Sequence, residues 1–159
     1  MCLLLCHEYK PSHAHLITDG PLLLDANTHA RVRLRCVNWY GAHQEPLVPG
    51  GLELTTVAAI ANLIADGVGA NCVRIPLADQ TVLSNGAAVN PRFMSGAFDG
   101  NAMDVLDLAV GALTSRGLMV ILNSHASVPG WVGSNEERPQ GLWHHANVSV
   151  ADWVSALTL

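Results

Sequence analysis

The chain has 159 residues, enough for one domain with a substantial core. Hydrophobic residues make up 50% and charged residues 13%, whereas charged residues reach about 25% in an average soluble domain. The net charge of −5 argues against nucleic acid, which selects a basic face, and no apolar run approaches the roughly 20 residues of a membrane span.

Residues 1–15 show no period and read as an N-terminal tail. Its opening, Met1-Cys2-Leu3-Leu4-Leu5-Cys6-His7, lacks a basic leader and the apolar stretch of about 7–15 residues that marks a signal peptide. Localisation is therefore left open. Cys2, Cys6, Cys36 and Cys72 form no CxxC pair and no zinc pattern, and read as buried free thiols.

Leu22 to Leu24 and Arg31 to Val37 are extended runs joined by the polar turn Asp25-Ala26-Asn27-Thr28-His29, which predicts a hairpin leading into a core strand. That strand ends at Asn38-Trp39-Tyr40-Gly41. After a Pro- and Gly-rich loop, 42–51, the spacing of Val57, Ile60, Ala61, Ile64 and Val68 predicts a helix over 54–67, stopped by Gly67. Cys72 to Ile75 is the second core strand, and 77–98 is expected to be an irregular loop. Met103, Leu106, Val110 and Leu113 predict a helix over 101–115, ended by Gly117. Leu118 to Leu122 is a continuous apolar run, as in a strand buried on both faces. A loop follows over 123–148, and Ser149 with Asp152 forms a capping box that opens a third helix toward Leu159. Asn147-Val148-Ser149 fits a glycosylation acceptor, a triplet common by chance.

A hairpin followed by three β-loop-α units fits either a doubly wound nucleotide-binding sheet or the opening of an eight-unit barrel. The first requires a glycine-rich turn directly after a strand, so that a phosphate can sit on a helix N-terminus. None of the three loops has GxGxxG or GxxxxGK; they are long and carry Trp, Tyr, His and Glu, as a sugar-binding face would. The fold class expected is α/β, an incomplete (β/α)₈ TIM barrel made of the hairpin and the first three βα units over 16–159. The apolar excess then reads as surface meant to be covered by the remaining units.

The segments Asp19-Gly20, Leu24-Asp25, Arg33-Leu34-Arg35 and Val37-Asn38-Trp39-Tyr40-Gly41 resemble the opening of glycoside hydrolase family 5, the cellulase-like enzymes. Asn71-Cys72-Val73-Arg74-Ile75-Pro76 looks like that family's second strand, and Leu118-Met119-Val120-Ile121-Leu122-Asn123-Ser124-His125 like its third. Trp131 and Gly141-Leu142-Trp143 continue the likeness, which covers residues 16–159 in order. The resemblance implies retaining cleavage of β-glucans, mannans or related glycosides, with no cofactor. Such cleavage needs two carboxyl groups about 5–5.5 Å apart. In the family they are glutamates at the ends of the fourth and seventh strands, the first within an Asn-Glu pair. The chain is expected to stop before the fourth strand, hence to contain no catalytic residue and to be inactive alone. The alternatives are a short product that binds carbohydrate or protein without catalysis, and a small enzyme of another class using Glu136 or His125.

The resemblance also assigns positions. Arg74 would sit on the active-site floor and keep the nucleophile ionised, against a plain structural ion pair. His125 would bind sugar hydroxyls, against a surface histidine. Asn38 would orient Arg74, and Trp39, Trp131 and Trp143 would stack on sugar or serve as packing. The expected partner is thus a polysaccharide or oligosaccharide. Two departures stand out: Cys36 replaces the family's usual glycine, leaving open whether it pairs with Cys72, and Asn123-Ser124 replaces Asp-Asn or Asn-Asn. Asn135-Glu136 imitates the catalytic dipeptide by letters, but it lies in a loop that cannot hold a nucleophile to catalytic tolerance. Glu136-Glu137 and Glu45 read as solvated loop acids. His144-His145 invites a metal site, yet adjacent histidines point apart in extended chain, so no metal is expected.

Overall fold

The structure is a computed structural model and describes residues 15–130, 144 and 148–158. Strands β1 (Leu16–Asp19) and β2 (Leu22–Asp25) pair antiparallel, Asp19 facing Leu22 across Gly20-Pro21. Gly20 has φ +52°, the positive value that a tight two-residue hairpin turn requires at its first central position. The hairpin therefore differs from the one expected: Leu22–Leu24 pairs backward with Leu16–Asp19, and Arg31 makes only an isolated bridge to Leu24. The polar turn 25–29 does form. Its organiser is the Asp25 carboxylate, which accepts from the backbone N–H groups of Asn27 and Thr28 at 2.9 and 2.7 Å. Chiefly the Thr28 N–H holds that carboxyl below its ordinary range.

Residues 33–35 also fail to extend the core strand as expected. The Asn71 side chain intervenes, accepting from Arg35 N–H at 2.7 Å and donating to Arg33 C=O at 2.8 Å. Only Cys36–Asn38 remains as β3. It pairs in parallel with β4 (Cys72–Ala78), which pairs in parallel with β5 (Met119–Ala126), giving the order β3-β4-β5. Both later strands run past their expected ends, so Asn123, Ser124 and His125 lie within β5. Register slips near the end of this pair: Leu77 faces Ser124 and Ala78 faces Ala126, leaving His125 as the extra residue on β5.

The helices pack on one face of this sheet. Val73 and Ile75 are fully buried there, with Val105, Ala109 and Leu113 of α3 (Ala102–Ser115). The spacing of those three residues is that of one helix face. Asn101 and Asp104 cap the start of α3 reciprocally. At its end Gly117, φ +73°, lets Gly117 N–H reach Thr114 C=O and Leu118 N–H reach Leu113 C=O, which turns the chain straight into β5. The helix expected over 54–67 starts at the Thr56 cap, runs as α1 (Val57–Asn62), widens into a π-helical turn (Leu63–Val68) and stops at Gly69 rather than Gly67. The loop expected over 77–98 contains α2 (Asp79–Leu83) and a 3₁₀ turn (Pro91–Phe93). The capping box of Ser149 and Asp152 opens α4 (Val150–Ala156).

Cys36 and Cys72 face each other across β3 and β4 and form a disulfide, Cα–Cα 4.3 Å. The expectation of free thiols is thus overturned for this pair, because the strand register brings together residues 36 apart in sequence. The expectation that Leu118–Leu122 is buried on both faces is overturned too. Ile121 is 39% and Leu122 42% exposed, since β5 is an edge strand of an open sheet among the described residues.

Candidate functional site

Strand alternation separates two chemistries. On β3 and β4, Val37, Val73 and Ile75 turn to the helices, while Cys36, Asn38, Cys72 and Arg74 take the opposite face. The parallel register sets Asn38 beside Arg74 and Pro76 beside Asn123. Parallel strands end on the same side, so their C-terminal residues gather there.

Arg74 is the centre of that gathering. Its Nη1 donates to Asn38 Oδ1 at 3.2 Å, its Nη2 donates to Asn123 Oδ1, and the same Nη2 lies 3.1 Å from His125 Nδ1. The structure thus brings Asn38, Arg74 and His125 together, with Asn123 as a fourth member. Among the described residues no carboxylate pairs with Arg74. A guanidinium without a carboxylate partner among the described residues, at one end of a sheet, is a ready counter-charge for an anion.

The loop after β3 builds one wall. Trp39 N–H donates to Arg74 C=O at 2.9 Å, and the Trp39 indole N–H donates to Gly50 C=O at 2.9 Å. Trp39 is 6% exposed and belongs to the core. Of the two readings, stacking or packing, its burial favours the second, with the indole bond fastening the loop. Tyr40, 42% exposed, takes the outer position, its hydroxyl accepting from Gln44 Nε2 at 3.1 Å. The next aromatic, His43, is buried, its ring edge-to-face with both Tyr40 (4.6 Å) and His125 (4.7 Å). Beside Tyr40 opens a cavity of about 340 Å³ whose lining includes Gln44, Pro46, Pro49, Arg92 and Phe93. Arg92 lies over the Phe93 ring and 3.9 Å from Glu45, so that loop acid is an exposed ion-pair partner.

Asp79 is the buried acid of the region, at the junction of β4 and α2. Burial raises its carboxyl above the ordinary range, partly offset by a hydrogen bond with Ser124. Ser124 in turn accepts from the Trp153 indole at 3.3 Å, so this cluster ties α4 to the sheet. A raised folded-state value means that folding favours the protonated carboxyl. Stability therefore falls as pH climbs from the ordinary aspartate value to the raised one, and is level above it. Asp79→Asn is expected to exceed the parent in urea midpoint at neutral pH and to match it in acid below the ordinary carboxylate range. A variant weaker than the parent at neutral pH would show that the Ser124 bond outweighs desolvation.

Trp131, Trp143, Glu136, Glu137 and His145 lie outside the described residues. No cluster of three or more His, Cys, Asp or Glu suited to a metal occurs among the described residues, and no helix among them is long and apolar enough to cross a membrane. Sequence reading missed His43, and treated Asn123 only as a departure from a motif. The spacing of Asn123 and His125, two apart on one strand, was the available signal for the latter.

Among the described residues, a parallel sheet with helices on one face and polar strand ends on one side defines an α/β protein built of βα units. Comparison supports this. The description Cellulase (glycosyl hydrolase family 5) matches residues 24–156. A glycosyl hydrolase 5 family protein of Chamaecyparis obtusa is 34% identical over 176 residues, covering 99% of this chain and 31% of that protein. The fold is similar to an endocellulase of Pyrococcus horikoshii solved with cellotetraose (TM-score 0.71, 16% identity, 93% of this chain and 39% of that one). It is also similar to the catalytic domain of the major endoglucanase of Xanthomonas campestris pv. campestris (TM-score 0.69, 23% identity, 90% and 39%). The chain belongs to glycoside hydrolase family 5. It spans about a third of the length of its curated relative.

Proposed function

We propose that residues 16–159 are the first three βα units of a retaining family 5 barrel, carrying the supporting half of a β-glucan site. The observation that supports this reading is Arg74, held by Asn38, Asn123 and His125 at the ends of three consecutive parallel strands. In this reading Arg74 is the counter-charge for a carboxylate nucleophile and His125 meets sugar hydroxyls. The cavity beside Tyr40 is of a size for a sugar unit next to the reacting one.

In this reading the nucleophile and the proton donor belong to a fourth and a seventh strand, and residues 16–159 assayed by themselves are expected to bind a β-glucan oligosaccharide without cleaving it. General acid catalysis typically supplies about 10²–10⁴-fold, and the covalent route through the nucleophile is lost with it. The test is the purified chain with aryl β-cellobioside for turnover and with cellotetraose for binding by titration calorimetry. Expected are no turnover, and binding that Arg74→Leu abolishes. Turnover that disappears in Glu136→Gln would assign catalysis to the 123–148 loop and overturn the reading. Binding unaffected by Arg74→Leu would move the sugar elsewhere.

A further inference from the structure

We infer that His43 is a positioning residue: it holds the His125 imidazole edge-on so that Arg74 fixes that ring as the neutral, Nε2-protonated tautomer. The geometry stands without a sugar; only the use of the resulting N–H donor toward a sugar hydroxyl rests on the function proposed above.

Arg74 enters first. A guanidinium has N–H donors and no acceptor. Its Nη2 lies 3.1 Å from His125 Nδ1, so the contact is a hydrogen bond only if Nδ1 presents its lone pair. In a neutral imidazole the proton then resides on Nε2. A doubly protonated ring would set N–H against N–H and one cation beside another. The other partners of Arg74, the amide oxygens of Asn38 and Asn123, hold the guanidinium in place while it does this.

That selection works only if the ring keeps Nδ1 toward Arg74. Rotation about the last side-chain bond of histidine is broad and roughly two-fold. A half-turn would put carbon where Nδ1 stands and leave Nη2 with Asn123 Oδ1 as its acceptor, without the His125 contact. His43 supplies the restraint. Its ring meets His125 at 83° with centroids 4.7 Å apart, and meets Tyr40 on another side at 75° and 4.6 Å. His43 is 1% exposed and cannot swing away. Its backbone is anchored as well, since its C=O accepts from Gly130 N–H at 3.0 Å, joining the loop after β3 to the segment after β5. His125 is the extra residue at the register slip of β5, where the ladder alone fixes it least.

The test reads the ring nitrogens of His125 in the ¹⁵N-labelled chain by long-range ¹H–¹⁵N correlation at neutral pH, assigned by their loss in His125→Gln. Each variant is checked for folding by its amide spectrum. In the parent, Nδ1 is expected to resonate as an unprotonated nitrogen and Nε2 as a protonated one. His43→Phe, which keeps a ring edge, is expected to retain this pattern. His43→Leu, which keeps apolar bulk alone, is expected to average the two nitrogens and to weaken cellotetraose binding about five- to tenfold, the worth of one net hydrogen bond of about 1 kcal/mol. An Nδ1-protonated His125 in the parent, a Leu variant with the parent's pattern, or a Phe variant that loses it would each overturn the inference. Because the pattern is read without sugar, cellotetraose that fails to bind while the pattern behaves as expected overturns the binding role and leaves the positioning role standing.

Discussion

Opening the Cys36–Cys72 disulfide is expected to lower the stability of the chain by about 4 kcal/mol. Chain-entropy treatment gives about 3 kcal/mol for a 15-residue loop and about 4.7 for a 100-residue loop, and this bond closes a separation of 36 residues. The native side of the balance points the same way. β3 is three residues long, and the stretch before it is held by the Asn71 amide instead of ladder bonds. The covalent link therefore carries much of the burden of keeping this edge strand in register. The measurement is the urea midpoint with and without a reducing agent, repeated for the Cys36→Ala/Cys72→Ala double variant. Equal midpoints for all three would mean that the strand is held by non-covalent contacts alone. Because Asn38 and Arg74 lie two residues beyond the cysteines, the reduced chain is also expected to lose oligosaccharide affinity.

Gly41→Ala is expected to cost roughly 3 kcal/mol and to disorder the wall beside His125. Gly41 has φ +125°, where an L side chain is strained, and a methyl group there would lie 2.7 Å from both the backbone nitrogen of Gly50 and the carbonyl oxygen of Val48. Strained backbone of this kind costs about 1–3 kcal/mol, and forced overpacking typically another 1–3. The clash is with main chain, so no rotamer relieves it. The affected loop carries Trp39, Tyr40 and His43, so the damage reaches the site through the His43–His125 contact. Gly96→Ala is the control: nothing lies within 4 Å of its added carbon, and it is expected to stay within about 0.5 kcal/mol of the parent. A Gly41→Ala chain as stable as the control would show that the loop re-forms around the methyl group.

These features were legible in the sequence to different degrees. The core strands were, because parallel strands write themselves as short apolar runs, as Cys72 to Ile75 and Leu118 to Leu122 do, although the strands continue past them. α3 was, because Asn101 caps it, Gly117 ends it and its buried residues keep one helical period. The meeting of Asn38, Arg74 and His125 followed from the common direction of parallel strands. What was hidden depends on contacts distant in sequence. β1 is four exposed residues, and its two apolar ones, Leu16 and Ile17, are too few to show a period. The break before β3 comes from an asparagine 36 residues away. The pairing of Cys36 with Cys72 is set by register, which no spacing rule reports. The burial of Trp39 is decided by the Gly50 carbonyl, and the role of His43 by two rings from different elements.

The cystine has one more consequence, for how the chain is made. Disulfides form and persist in oxidising compartments and are kept open in an ordinary cytosol. Successive residues of a strand advance about 3.3 Å, so the bond lies one pleat beneath Arg74, at the foot of the site. Material produced in a bacterial cytoplasm and material exported to the periplasm would therefore differ directly beneath the Arg74 cluster, although their amino-acid sequences are the same.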